Sequence, residues 1–199
     1  NVTNKCINII RETLKREGAP EDIIQGIPVP SIAASIELMK RCDLTIATGG
    51  RPMVKSAYST GVPAYGSGAG NATVIIDDTC DTPERQHEAA ENTRISKCSD
   101  FGSGCSCDGN LVIHESIYEN IVKELVKEGA YLANAEEAEK IKKVMWDENG
   151  HRLPNTVAVS PQKLALTAGF EIPADRKFIA VTGGGINDIG KTHFFSSEK

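Results

Sequence analysis

Two cysteines separated by a single serine, in Gly102-Ser-Gly-Cys-Ser-Cys107, are the residues of this chain best suited to covalent chemistry. A thiolate is a strong nucleophile near neutral pH. Glycine and serine around it let backbone N–H groups lower its pKa and stabilise an oxyanion. A small buried thiol would leave the same letters, so residue types alone keep both readings open. Two further stretches, Ala47-Thr-Gly-Gly-Arg51 and Tyr65-Gly-Ser-Gly-Ala-Gly-Asn71, have the glycines a ligand site needs. The first lies between a strand-like run and a helix. Parallel sheets collect ligands there, and helix N-termini favour phosphate. Plain turn glycines fit that position as well. The second would let the backbone approach a flat ligand closely. It fails as a lone dinucleotide fingerprint, because the strand-like Thr73-Val-Ile-Ile76 follows it where a helix should be.

A fourth stretch, Gly185-Ile-Asn-Asp-Ile-Gly-Lys-Thr192, spells a phosphate-binding loop after the strand-like Phe178-Ile-Ala-Val181. Such a loop must open into a helix whose N-terminus faces the phosphates. His193-Phe-Phe-Ser-Ser197 is a poor helix, so a P-loop nucleotide hydrolase is the weaker reading. Cys98, Cys105 and Cys107 with His114 lack the paired arms of a zinc site, and no metal is expected.

With 199 residues, 40% of them hydrophobic and 25% charged, the chain reads as globular and large enough to bury a core. The net charge of −5 and the lack of a basic stripe argue against a nucleic-acid partner. No apolar run approaches the ~20 residues of a membrane span, and no signal peptide opens the chain. Six cysteines without paired spacing fit a reduced, intracellular protein. The chain does not start with methionine and enters directly on a helical pattern, so it is expected to be the middle of a longer protein.

Helix and strand signals alternate with short connections. Cys6, Ile10 and Leu14 mark a helix ending at Gly18, and Ile23–Ile27 reads as a strand. Ile32, Ile36 and Met39 follow as a helix capped by Ser31, then a short buried strand at Leu44–Ala47 and a helix near Met53–Tyr58. Val62–Gly66 and Thr73–Ile76 read as strands, and Pro83–Lys97 as a long polar helix. Beyond Ser99–Gly109, Leu111–His114 is a strand, and helices are marked by Ile117/Ile121/Leu125, Ala138/Ile141/Met145 and Leu164/Ala168. Phe178–Val181 is a last strand. This alternation predicts an α/β fold with a parallel sheet.

Taken in order, Ala47-Thr-Gly-Gly50, Met53-Val-Lys-Ser-Ala-Tyr58, Gly68-Ala-Gly-Asn71 and Asp100-Phe-Gly-Ser-Gly-Cys105 resemble the aldehyde dehydrogenase superfamily. The resemblance is closer to its coenzyme A-acylating branch, and Gly18-Ala-Pro20 also fits. It implies part of a Rossmann-like NAD(P)-binding domain over residues 1–97 and part of a second, catalytic α/β domain over 98–199. It assigns Cys105 as nucleophile and Cys107 as a bystander. Thr48, Gly49 and Gly50 fall beside the cofactor pyrophosphate, Ser67 and Gly68 beside the nicotinamide, and Gly18 and Pro20 at the adenine pocket. Hydrolytic members have a glutamate at the position matched here by Ser67, and serine is a poor base, so coenzyme A is the expected acyl acceptor. Residues 99–113 look most like sulfoacetaldehyde-oxidising members, with acetaldehyde dehydrogenases next. Arg51 or Arg94 would face the sulfonate. NAD or NADP as cofactor, a homo-oligomer, and a cytoplasmic or microcompartment location complete what the resemblance implies. A non-catalytic fragment or scaffold of the same fold is the alternative.

Overall fold

The structure is a computed structural model that describes residues 2–68, 70–183 and 194–195. It divides into two compact units, residues 1–68 and 69–199.

In the first unit, helix α1 (Val2–Arg16) ends at Gly18, whose φ of 75° lets Ala19 N–H reach back to the Leu14 carbonyl. The chain then makes a 3-10 turn at Glu21–Ile23, where a strand was expected. The reason is local. Arg11 donates to the Ile24 carbonyl and Asn4 to the Ile27 and Pro28 carbonyls, so α1 takes up the acceptors a sheet partner would need. Helix α2 (Ile32–Arg41) starts on Ser31, whose hydroxyl accepts from Ala34 N–H at 3.1 Å. Strand β1 (Thr45–Thr48), helix α3 (Arg51–Tyr58) and strand β2 (Ala64–Ser67) form a β-α-β unit, with β1 and β2 parallel. Its core is small, built on Met39, Ala47 and Ala57. Only one face of β1 is buried: Thr45 and Ala47 point inward, while Ile46 is 77% exposed.

The second unit begins with β3 (Ala72–Ile76), which runs into α4 (Pro83–Cys98) and then pairs in parallel with β4 (Asp108–Ile113). Helix α5 (Tyr118–Lys127) leads to β5 (Ala130–Ala133), which pairs in parallel with β6 (Phe178–Val181). Helices α6 (Ala135–Met145) and α7 (Pro161–Thr167) lie between those two strands. Ile76, Ala90, Ile121, Leu125, Ala130 and Phe178 form one buried cluster, so β3 and α4 share a core with elements from both later strand pairs. The division at Lys97 implied by the resemblance therefore falls inside this unit. The α/β fold with parallel strand pairs agrees with the expected class. Among the described residues, no helix is long and apolar enough to cross a membrane.

Candidate active site

Cys105 is exposed, in the loop joining α4 to β4. That loop is under backbone strain. Asp100 (φ 47°, ψ 40°) and Phe101 (φ 51°, ψ 33°) are both left-handed, followed by Gly102 at φ 69°. Non-glycine residues rarely adopt this region, and they persist there only where the surroundings enforce it. Two bonds do so here: Ser103 Oγ donates to Asp100 Oδ2 at 2.7 Å, and Ser103 N–H to the Asp100 carbonyl at 3.2 Å. The chain then turns again, Cys107 N–H closing on the Gly104 carbonyl at 3.1 Å, with Cys105 and Ser106 between.

Gly70 packs on the nucleophile candidate. A side chain there would begin 3.0 Å from the Cys105 carbonyl oxygen and 3.4 Å from its Cβ, so any larger residue would press the cysteine backbone away by a few tenths of an ångström. The neighbouring Asn71 side chain fills the space a Gly109 side chain would take, at the register shift where β3 meets β4. Asn71 Nδ2 also donates to the Phe195 carbonyl at 3.3 Å. Cys105 thus sits at the amino ends of β3 and β4, fixed by glycine contacts and turn bonds.

The other cysteines near it are placed differently. Cys107 is half-buried, its thiol directed at the Ser99 carbonyl at 3.8 Å. Cys98 ends α4 with its thiol towards the Lys177 carbonyl, and burial pushes that thiol's pKa up. His114 lies beyond the far end of β4, with Nδ1 bonded to Ser116. A strand of six residues, about 20 Å long, separates it from the cysteines. The four residues weighed for zinc are therefore not brought together.

In the first unit, Thr48, Gly49 and Gly50 lie where β1 gives way to α3, with Gly50 as the helix N-cap. Thr48 pairs in register with Ser67, and Gly49 N–H donates to the Ser67 carbonyl at 3.1 Å. The structure thus joins two stretches that lie apart in sequence at the carboxyl ends of a parallel pair. Thr48, Gly50, Ser67 and Gly68 are all exposed. Gly18 and Pro20, at the end of α1, are exposed as well. Of the two arginines, Arg51 opens α3 and is exposed. Arg94 is committed elsewhere: its Nε meets Glu128 at 2.5 Å and its Nη2 meets Glu91 at 3.2 Å, and Glu128 raises its pKa. That removes Arg94 as a sulfonate partner. The phosphate-loop match at Gly185–Thr192 lies outside the described residues.

No family model matches the chain. Among curated proteins it is similar to a sulfoacetaldehyde dehydrogenase from an Acholeplasma species, 40% identical over 201 residues, spanning 99% of this chain and 40% of that protein. It is also similar to the acylating sulfoacetaldehyde dehydrogenase of Bilophila wadsworthia, 39% identical over 91% of this chain and 39% of that protein. The chain therefore spans about two fifths of the length of these relatives. Among solved structures, an acetylating aldehyde dehydrogenase from Geobacillus thermoglucosidasius aligns with a TM-score of 0.87 at 38% identity, over 98% of this chain and 42% of that one. Propionaldehyde dehydrogenase of Rhodopseudomonas palustris, solved with bound CoA and an acylated cysteine, aligns at 0.76 and 25% identity, over 94% of this chain and 41% of that one.

Proposed function

We propose that this chain, homologous over nearly its whole length to part of the acylating aldehyde dehydrogenases, belongs to an enzyme that oxidises a short aldehyde to its acyl-coenzyme A with NAD or NADP. The observation that carries the reading is Cys105, exposed in a strained loop with Gly70 packed against it. Its thiolate attacks the aldehyde carbon to give a thiohemiacetal. Hydride then leaves that carbon, and the residue keeps the acyl group as a thioester. The thiol of coenzyme A attacks the thioester carbonyl, which releases acyl-coenzyme A and restores the Cys105 thiolate.

The first unit suits a dinucleotide. Gly50 opens α3 at the carboxyl end of β1, where a helix N-terminus favours a pyrophosphate, with the Met53 thioether lying over Gly49. Thr48, Gly49 and Gly50 would hold it there, Ser67 and Gly68 would border the nicotinamide, and Gly18 and Pro20 the adenine. When bound, the cofactor supplies the hydride acceptor. In this reading residues 1–97 serve the cofactor and residues from Cys98 onwards the chemistry, although β3 and α4 share their core with β4 and α5. Sulfoacetaldehyde is the aldehyde we favour, because both curated relatives above bear its name. A homo-oligomer in the cytoplasm or a microcompartment is the setting that follows from the resemblance.

Ser67 supports acyl transfer over hydrolysis. Enzyme, aldehyde and oxidised cofactor without coenzyme A should give a burst of reduced cofactor near one per site, then a slow phase. Coenzyme A should raise the steady rate by ~10²–10⁴-fold, the usual worth of a general base that water lacks here. Rapid steady turnover with no thiol present would overturn the reading.

A further inference from the structure

Asn71 has no part in the acyl-transfer cycle, yet its contacts converge on the loop that carries Cys105. Strands β3 and β4 pair with one extra residue on β4: Ala72 faces Asp108 and Thr73 faces Asn110, which leaves Gly109 unpaired between them. Such bulges bend their strand and re-aim the side chains beside it. The Asn71 amide fills this one, its Oδ1 lying where a Gly109 side chain would begin. Gly109 is not left-handed, so a methyl group there is excluded by Asn71 and not by the backbone. The amide nitrogen of Asn71 donates to the Phe195 carbonyl at 3.3 Å, and the Phe195 ring stands edge-on to the buried Trp146 at 5.3 Å. The residue before Asn71 is Gly70, which lies against the Cys105 backbone. One dipeptide thus meets the loop twice, at Cys105 and four residues later at Gly109. Ser96 closes the base of the loop: its hydroxyl donates to Asp108 Oδ1 at 2.9 Å and accepts from Asp108 N–H at 3.0 Å.

We propose that Asn71 is a positioning residue for the nucleophile: wedged in the β4 bulge and tied to Phe195, it keeps Gly70 against the Cys105 backbone and sets the line along which the thiolate meets the aldehyde. The proposal rests on the acyl-transfer reading of Cys105. With the base of the loop closed by Ser96, the direction of Cys105 is set where Gly70 meets it, and Gly70 is held by the residue that follows it. Misplacing a reacting group by about 1 Å costs roughly 10²-fold in rate and leaves the group itself intact. Loss of Asn71 should therefore lower kcat and kcat/KM together, the mark of an interaction used only in the transition state.

The test uses the full-length enzyme and three variants: Asn71→Gly, Gly109→Ala and the two together. Asn71→Gly empties the bulge, and Gly109→Ala drives the amide out of it. Each should lower kcat by about 10²-fold and leave the KM values for cofactor and aldehyde within about twofold. Alkylation of Cys105 by iodoacetamide, followed on its peptide by mass, should stay within about threefold, because a small reagent needs an exposed thiol and not an aimed one. In the double variant the alanine methyl enters the space that the amide vacates. Independent lesions would multiply to about 10⁴-fold, whereas this pair should lose less than either single variant. Three results would each overturn the proposal. The first is an unchanged kcat in Asn71→Gly. The second is Cys105 alkylation and melting temperature falling in step with kcat, which would make Asn71 a structural residue only. The third is a double variant as slow as the product of the two singles. Should Asn71→Gly not fold, Gly109→Ala disturbs the same contact from β4, and an unchanged kcat there overturns the proposal equally. A Cys105→Ser enzyme that still oxidises aldehyde would sink the acyl-transfer reading and this proposal with it, a result that no Asn71 variant can mimic.

Discussion

The two glycine-bearing sites sit at opposite ends of their strands. In the first unit, Thr48–Gly50 and Ser67 lie at the carboxyl ends of β1 and β2, and a helix begins there at once. In the second, Cys105 lies at the amino ends of β3 and β4, at the end of a long irregular loop. The carboxyl end of a parallel strand offers backbone donors and a helix terminus, which suits holding an anion without side-chain chemistry. The amino end of β4 meets the carboxyl end of α4 and no helix N-terminus. A reactive side chain there must be aimed by the loop itself, hence the left-handed Asp100 and Phe101 and the Gly70 contact. One site is built from regular structure and the other from strain.

The largest effect should come from removing the reactive atom. Cys105→Ser should abolish aldehyde oxidation, because a serine without a partnered base stays protonated, while dinucleotide affinity measured by fluorescence stays within about twofold. Loss of activity in Cys107→Ser with Cys105→Ser still active would assign the nucleophile to the wrong sulfur.

Next come two changes that should separate the sites. Gly70→Val places branched carbons against the Cys105 backbone and should lower kcat by about 10²-fold, since small misplacements of a reacting group cost that much. Its KM for the cofactor should barely move. Gly50→Asp acts on the other site. Aspartate is a good N-cap and holds α3 at least as well as glycine, but its charge opposes a pyrophosphate. Cofactor KM should rise about tenfold or more. Thermal stability and the rate of Cys105 alkylation should hold. If Gly50→Asp slows Cys105 alkylation as strongly as it weakens the cofactor, the two sites are not separable.

The difference between the sites also accounts for what the sequence revealed. The strand–glycine–helix order at Leu44–Tyr58 was legible because regular elements leave periodic signals and glycine marks their junction. The Ser31 cap and the Phe178–Val181 strand were legible for the same reason. The conformation of the cysteine loop was not, since Asp100 is only a mild sign of left-handed backbone and Phe101 is a sign against it. The choice of Cys105 as candidate nucleophile rests on the order and spacing of four motifs, not on local physics. Ile23–Ile27 misled because its apolar residues suit a strand while side chains from α1 occupy its carbonyls. Ala130–Ala133 escaped notice: it is four residues long and has no β-branched side chain. The β1–β2 pairing that joins Thr48 to Ser67 is a non-local contact with no sequence signature of its own.

If the loop is strained, relieving it should stabilise the protein. Phe101 is 57% exposed and has little packing to lose, and asparagine tolerates its left-handed angles. Phe101→Asn should therefore raise stability by about 1 kcal/mol, or about 2–4 °C in a melting experiment. Activity should fall where the strain aims Cys105. An unchanged or lower melting temperature would mean that Phe101 is at rest in this conformation.

The smallest effect concerns the frame behind that loop. Helix α4, which leads into it, is clasped to α5 by polar side chains: Arg94 and His87 on α4 against Glu124 on α5 and Glu128 at its end, with Lys127 bonded to Glu124 at 2.5 Å. The hydrogen bond from Lys127 is the main cause that holds the Glu124 carboxyl below its usual range, against burial, with His87 adding to it. A carboxyl depressed in the folded state contributes stability that is fully present above its unfolded pKa of about 4.3. That contribution is lost as pH falls through the lower folded value. Lys127→Met removes the main cause, so the folded value rises towards the unfolded one and the contribution shrinks. In an acid titration followed by circular dichroism, the unfolding midpoint should move to higher pH by roughly a few tenths of a unit. The whole of the loss should be present at pH 7, where it is small, as expected for an exposed lysine in a surface pair, and it should vanish below the folded pKa. A midpoint that stays put, or moves to lower pH, would show that Lys127 does not set Glu124, and would leave Arg94 and Glu128 as the clasp that holds the upstream end of the cysteine loop.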